Sequence, residues 1–145
     1  MRLSTRAKYG IHGMLDLAMN RSMGPQSIKL IAERQGIPEQ YLEQLVGLLR
    51  KEGLVRGVRG AQGGYLLAKP PGEITMAELM RVLEGPISLS ECLEDHDCCD
   101  RSVVCSARRV WEKLSQSIDH VLSSVTLEDM LEDQMRLCAE MEEYQ

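Results

Sequence analysis

A chain of 145 residues of which 43% are apolar can bury one hydrophobic core and is too apolar to stay disordered; with no Phe, one Trp and nine Met, that core must be aliphatic and thioether, as packed helices favour. No run of about 18 apolar residues occurs, which argues against a membrane span and points to a cytoplasmic protein. The net charge of −5 speaks against nucleic acid only as an average: residues 1–70 carry 11 Lys and Arg against 5 Asp and Glu (+6), whereas residues 71–145 carry 6 against 17 (−11).

Ile11, Met14, Leu15 and Ala18 recur at helical spacing and predict a first helix over 4–19, with Lys8, His12 and Asp16 aligned on another face. Ser27 can cap a short second helix over 28–34, its Leu30, Ile31 and Ala32 facing inward, which Gly36 stops. Pro38 opens a third helix, QYLEQLVGLLRKEG. Leu42, Leu45, Val46 and Leu49 form its apolar face, and Gln40, Glu43, Gln44, Gly47 and Lys51 the opposite one. The short turn at 35–38 gives the second and third helices helix-turn-helix spacing.

Gly53 ends the third helix, and LVRGVRGAQGGYLLA follows, two β-type runs around a glycine-rich turn that carry Arg56 and Arg59. Glycines at 60, 63 and 64 suit a tip that approaches DNA closely. Three helices and then a basic hairpin is the order of a winged helix-turn-helix, whose third helix enters the major groove.

Beyond KPPGE, Thr75 and Glu78 have capping-box spacing and start a helix that runs through Leu83 and ends at Gly85-Pro86. Four of the five cysteines then fall in ECLEDHDCCDRSVVC, residues 91–105. Val104, Ala107, Trp111, Leu114, Ile118 and Val121 form a heptad seam, which needs a partner helix. Thr126 can cap a last helix with Leu127, Met130, Leu131, Leu137 and Met141 as its stripe, and the acidic end EMEEYQ is expected to fray.

An odd set of cysteines is a poor disulfide framework in a reducing compartment and suits metal or redox chemistry. Glu91, Glu94, Asp95, Asp97 and Asp100 disfavour thiolate formation, which speaks against a hyper-reactive cysteine. Zinc sites generally use shorter C-x₂₋₄-C steps. No Gly-rich phosphate loop, nucleophile elbow or HExxH occurs, so no enzyme motif competes with DNA binding.

The stretches MRLSTRAKYG, GIPEQYLEQLVGLLRKEGLVRGVRGAQGGYLLA, RVLEGPIS and TLEDM resemble the Rrf2 family of winged-helix transcription regulators, with its IscR, NsrR and CymR types. The resemblance implies a mainly α fold: a winged helix-turn-helix DNA-binding domain over 1–70, then a cluster-binding loop and helical dimerisation region over 71–145 with a long C-terminal dimerisation helix. It further implies a homodimer on a pseudo-palindromic, double-stranded DNA operator. Gln40, Glu43 and Gln44 would read base edges and Arg59 the minor groove, while Arg2 and Lys8 would touch phosphates; the hydrogen-bonding chemistry of these side chains agrees.

For the iron-sulfur members, the resemblance implies three cysteine ligands to a cluster, preferably 2Fe-2S, here Cys92, Cys99 and Cys105. Cys98 is the spare, although a C-x₅-C step from Cys92 lands on it, so the choice stays open. Where one pattern in the family has a ligating histidine this chain has Arg108, which cannot ligate. His12 matches a second pattern, in which the partner subunit's first helix supplies the ligand; His96 or a loop carboxylate is the alternative. Iron-sulfur assembly proteins join DNA among the implied partners. The rival implication is a cofactor-free regulator of the CymR type, controlled by a protein partner on the acidic half or by thiol redox chemistry.

Overall fold

The computed structural model describes residues 2–145. In chain order its elements are α1 (Thr5–Met19), α2 (Ile28–Gln35), α3 (Glu39–Lys51), β1 (Val55–Val58), β2 (Gly64–Leu67), α4 (Met76–Glu84), α5 (Glu91–Glu94), α6 (Ser106–Ser124) and α7 (Leu127–Glu143). The fold is mainly helical and winged-helix in order, as the sequence predicts.

The helices begin where side chains can satisfy their orphan amides. Ser4 accepts from the Ala7 amide and Ser27 from the Leu30 amide. Thr75 with Glu78 and Thr126 with Asp129 form complete reciprocal capping boxes on α4 and α7. Gly36, at φ +65°, supplies the left-handed turn that ends α2 and lets α3 start three residues later.

Met14 and Leu17 of α1, Ile31 of α2, Leu42, Leu45 and Leu49 of α3, and Leu79 and Leu83 of α4 meet in one buried cluster. Helices α1 and α4 pack closely: a Cβ on Gly10 would lie 2.4 Å from a Leu83 methyl. The last helix returns to this core. The Leu127 amide donates to the Ile74 carbonyl at 2.8 Å and the Met76 amide to Val125 at 2.9 Å, so Leu127 and Leu131 are buried in the same cluster.

The hairpin is antiparallel, pairing Val55 with Leu67 and Val58 with Gly64. Gln26, ahead of α2, extends it by a bridge to Tyr65: each amide donates to the other residue's carbonyl, at 3.0 and 2.8 Å. Gly64 sits so close to that bridge that a Cβ would come within 2.5 Å of the Gln26 carbonyl oxygen, and a Cβ on Gly63 would meet the Val58 carbonyl at 2.2 Å. These two glycines therefore serve the hairpin's own packing before any approach to DNA.

The structure departs from the sequence reading in four further places. Leu30 is 48% exposed instead of facing inward, because successive helical residues step by about 100° and Ile31 and Ala32 take the inward side. Asp16, placed on the face of Lys8 and His12, is buried. Val104 lies in a 3₁₀ turn ahead of α6, so the helical part of the seam starts at Ala107. The acidic end stays helical through Glu143 instead of fraying.

Candidate DNA-binding surface and cysteine loop

On α3 the buried face of Leu42, Leu45, Val46 and Leu49 turns Gln40, Glu43 and Gln44 outward, and all three are exposed. Arg56 and Arg59 project from the hairpin, and Arg2, Lys8 and His12 are exposed at or near α1. Among the described residues, no side-chain hydrogen bond or ion pair within the chain engages Arg2, Lys8, Gln40, Glu43, Gln44 or Arg59. These donors and acceptors can meet phosphates and base edges without first breaking internal bonds.

What aims this surface is a polar group that the sequence reading did not single out. The Asp16 carboxylate, 1% exposed, accepts from Arg34 Nε at 2.9 Å and Arg34 Nη2 at 2.7 Å, and from Gln35 Nε2 at 3.0 Å. Arg34 Nη2 also donates to Gln26 Oε1 at 2.8 Å. Its hydrogen bond to Asp16, outweighing partial burial, raises the guanidinium pKa further above its ordinary value. One buried carboxylate thus joins α1 to α2 and, through Gln26 and its bridge to Tyr65, to the wing. The available signal was an acidic residue flanked by Leu15 and Leu17 in an apolar helix, with an arginine in the following helix to neutralise it.

The cysteine segment is built differently. After α5 it runs through two 3₁₀ turns, His96–Cys98 and Ser102–Val104, to the start of α6. All five cysteines are free thiols: Cys92 and Cys105 half-buried, Cys98, Cys99 and Cys138 exposed. Cys92 Sγ lies 3.1 Å from Ser90 Oγ. Partial desolvation, followed by the negative charge of Cys92, Asp95, Cys99 and Glu91, pushes the Cys98 thiol above its ordinary pKa, in line with the effect expected of the loop carboxylates.

Arg108, on the second residue pair of α6, reaches back into this loop. Its Nε donates to the Cys92 carbonyl at 3.3 Å, its Nη2 lies 2.7 Å from His96 Nδ1, and Glu112 one turn on holds the guanidinium at 3.5 Å. Ser102 Oγ donates to the His96 carbonyl at 3.2 Å. Beneath lies an open cavity of about 440 Å³ that includes Ile87, Leu93, Arg108 and Ser115 in its lining, and Ser115 Oγ is buried there without a hydrogen-bond partner.

Among the described residues, no three His, Cys, Asp or Glu side chains converge as a metal site. The single chain therefore does not bring Cys92, Cys99, Cys105 and His12 together. Their chemistry nevertheless fits an iron-sulfur cluster: four thiols lie on short turns with few internal tethers, and thiolates are the ligands iron takes in such clusters.

Helix α6 has no buried residue. Arg108, Glu112, Ser115 and Leu122 are half-buried on its inner side, whereas Trp111 and Leu114 on the heptad seam remain 40% and 43% exposed. Apolar side chains at this spacing on a long helix lack a cover within the chain.

The model of the Rrf2 family, described as an iron-dependent transcriptional regulator, matches residues 3–133. The HTH-type transcriptional regulator CymR of Bacillus subtilis is 44% identical over 130 residues, covering 90% of this chain and 89% of that protein. The HTH-type transcriptional regulator IscR of Photorhabdus laumondii is 40% identical over 134 residues, covering 92% and 81%. Among solved structures, T. potens IscR superposes with a TM-score of 0.77 at 46% identity, over 92% of this chain and 88% of that one. No helix of the described residues is long and apolar enough to cross a membrane. With an outward-facing third helix, a basic wing and this breadth of similarity, the chain belongs to the Rrf2 family of transcriptional regulators.

Proposed function

We propose that the protein is a homodimeric, sequence-specific DNA-binding regulator whose operator affinity is set by an iron-sulfur cluster, preferably 2Fe-2S. The observation that carries the reading is the segment Cys92–Cys105, four thiols hung between the packed helices and the uncovered helix α6. Cys92, Cys99 and Cys105 would hold the cluster, with His12 of the partner subunit as the fourth ligand. When bound, it would supply a group whose charge and occupancy respond to iron, oxygen or nitrosative chemistry.

The remaining steps belong to the chain's own side chains. Two copies pair along the seam of Trp111, Leu114, Ile118 and Val121 and present two α3 helices to a pseudo-palindromic site. Gln40, Glu43 and Gln44 read base edges, Arg59 enters the minor groove, and Arg2 and Lys8 contact phosphates. On this reading residues 1–70 form the DNA-binding part and 71–145 the sensing and dimerising part. Ligation by His12 would tie the acidic half of one copy to α1 of the other, so cluster occupancy and DNA affinity would be reciprocal. Iron-sulfur assembly proteins would deliver the cluster.

The test is operator binding by anaerobically prepared protein with and without reconstituted cluster, at one fixed salt concentration because phosphate contacts make affinity salt-dependent. Iron and sulfide incorporation with a change in affinity supports the reading; equal affinity in both states removes the sensing claim. A second reading, favoured by the similarity to CymR and by the unconverged thiols, is control by a protein partner or thiol oxidation without a cofactor. Anaerobic reconstitution that leaves the protein colourless and free of iron would select it.

A further inference from the structure

We propose that Arg108 is a positioning residue that latches the cysteine loop onto the first turns of α6. The inference deepens the proposed sensing role and rests on it for its purpose. Its geometry is independent of any cofactor. The guanidinium, only 16% exposed, contacts the loop at two separated points: the carbonyl of Cys92 at 3.3 Å, near the loop's start, and His96 Nδ1 at 2.7 Å, near its middle. Glu112, on the same helix face, keeps it aimed. Ser102 holds the far side of His96 through its backbone carbonyl at 3.2 Å, so the loop closes around that residue.

The chemistry of the His96 contact has a consequence. Arginine only donates hydrogen bonds, so Nδ1 of His96 must accept, and the ring's proton then sits on Nε2. In this arrangement neither ring nitrogen offers a free lone pair, and His96 is withheld from metal ligation while the latch is closed. Arg108 thus holds the loop at Cys92 and His96 in an arrangement in which, among the described residues, no three ligating side chains converge. The latch also makes the loop's position depend on α6, the helix that carries the uncovered seam.

The test uses the full-length, reduced, metal-free protein and follows alkylation of individual cysteines by N-ethylmaleimide with mass analysis. In the wild type, Cys92 should react more slowly than Cys98 and Cys99. In Arg108→Ala, labelling of Cys92 should accelerate about tenfold, the order of effect expected when a charge-assisted tether is removed from a loop. Cys138, remote on α7, should keep its rate and serves as the internal control. Arg108→Lys, which retains charge without the planar fork, should fall between the two.

A Cys92 rate in Arg108→Ala equal to wild type, with an unchanged melting temperature, would overturn the latch. Acceleration of all five cysteines together would overturn it too, since that outcome reports general unfolding. Because the readout needs no iron, failure of cluster reconstitution would defeat the sensing proposal and leave the latch standing, and the reverse also holds. As a second measurement, the His96 ring nitrogens in ¹⁵N spectra should show the Nε2-protonated tautomer in the wild type and a mixed population in Arg108→Ala. The same mixture in both proteins would count against the latch.

Discussion

The helix-turn-helix region and the cysteine loop with α6 are built on opposite principles. In the first, α1, α2 and α3 bury apolar faces against one another, and a buried carboxylate bonded to Arg34 and Gln35 ties α1 to α2. In the second, a 19-residue helix buries no residue and the preceding loop hangs on a few polar contacts, chiefly those of Arg108 and Ser102. The contrast shows how one chain can hold its helix-turn-helix rigid while leaving its cysteine segment loosely tied. Local stability follows packed apolar surface, so the cysteine segment, with least of it, is expected to open most readily.

The contrast breaks most visibly under side-chain truncation. Leu45→Ala, in the buried face of α3, should cost about 2–5 kcal/mol of unfolding free energy by denaturant titration. Trp111→Ala should leave the folded chain comparatively intact while shifting sedimentation toward monomer; equal loss of fold in both variants would erase the distinction between the regions. Next in size, Arg34→Ala leaves the Asp16 carboxylate buried without its cation and should cost about 3 kcal/mol, with a matching fall in melting temperature. A smaller effect sharpens the comparison on the reading head itself. Gln44→Ala should weaken binding to a matched operator by about 1–3 kcal/mol at one base position, with unchanged affinity for unrelated DNA and unchanged melting.

Much of the reading head was legible because its signals are local. The spacing of Leu42, Leu45, Val46 and Leu49 determines which face of α3 is buried, and thereby which face carries Gln40, Glu43 and Gln44. Caps at Ser27, Thr75 and Thr126 mark helix starts by side-chain chemistry alone. The Asp16 network escaped because it depends on partners 18 and 19 residues away, which periodicity within one helix does not reveal. Leu30 was misplaced because three successive residues span about 200° of any helix, more than one inward face. In the cysteine loop, spacing named the thiols but not the contact of Arg108 with Cys92 and His96, since irregular backbone carries no period from which to project a side chain's direction.

The return of α7 to the core anchors α6 at its C-terminal end. There Val125–Leu127 pairs with Ile74–Met76, whereas at the opposite end Arg108 bonds only to the loosely held loop. A beam pinned at one support delivers its load to that support. A tilt of α6 would therefore bear on the start of α4, which packs in the same core as α1.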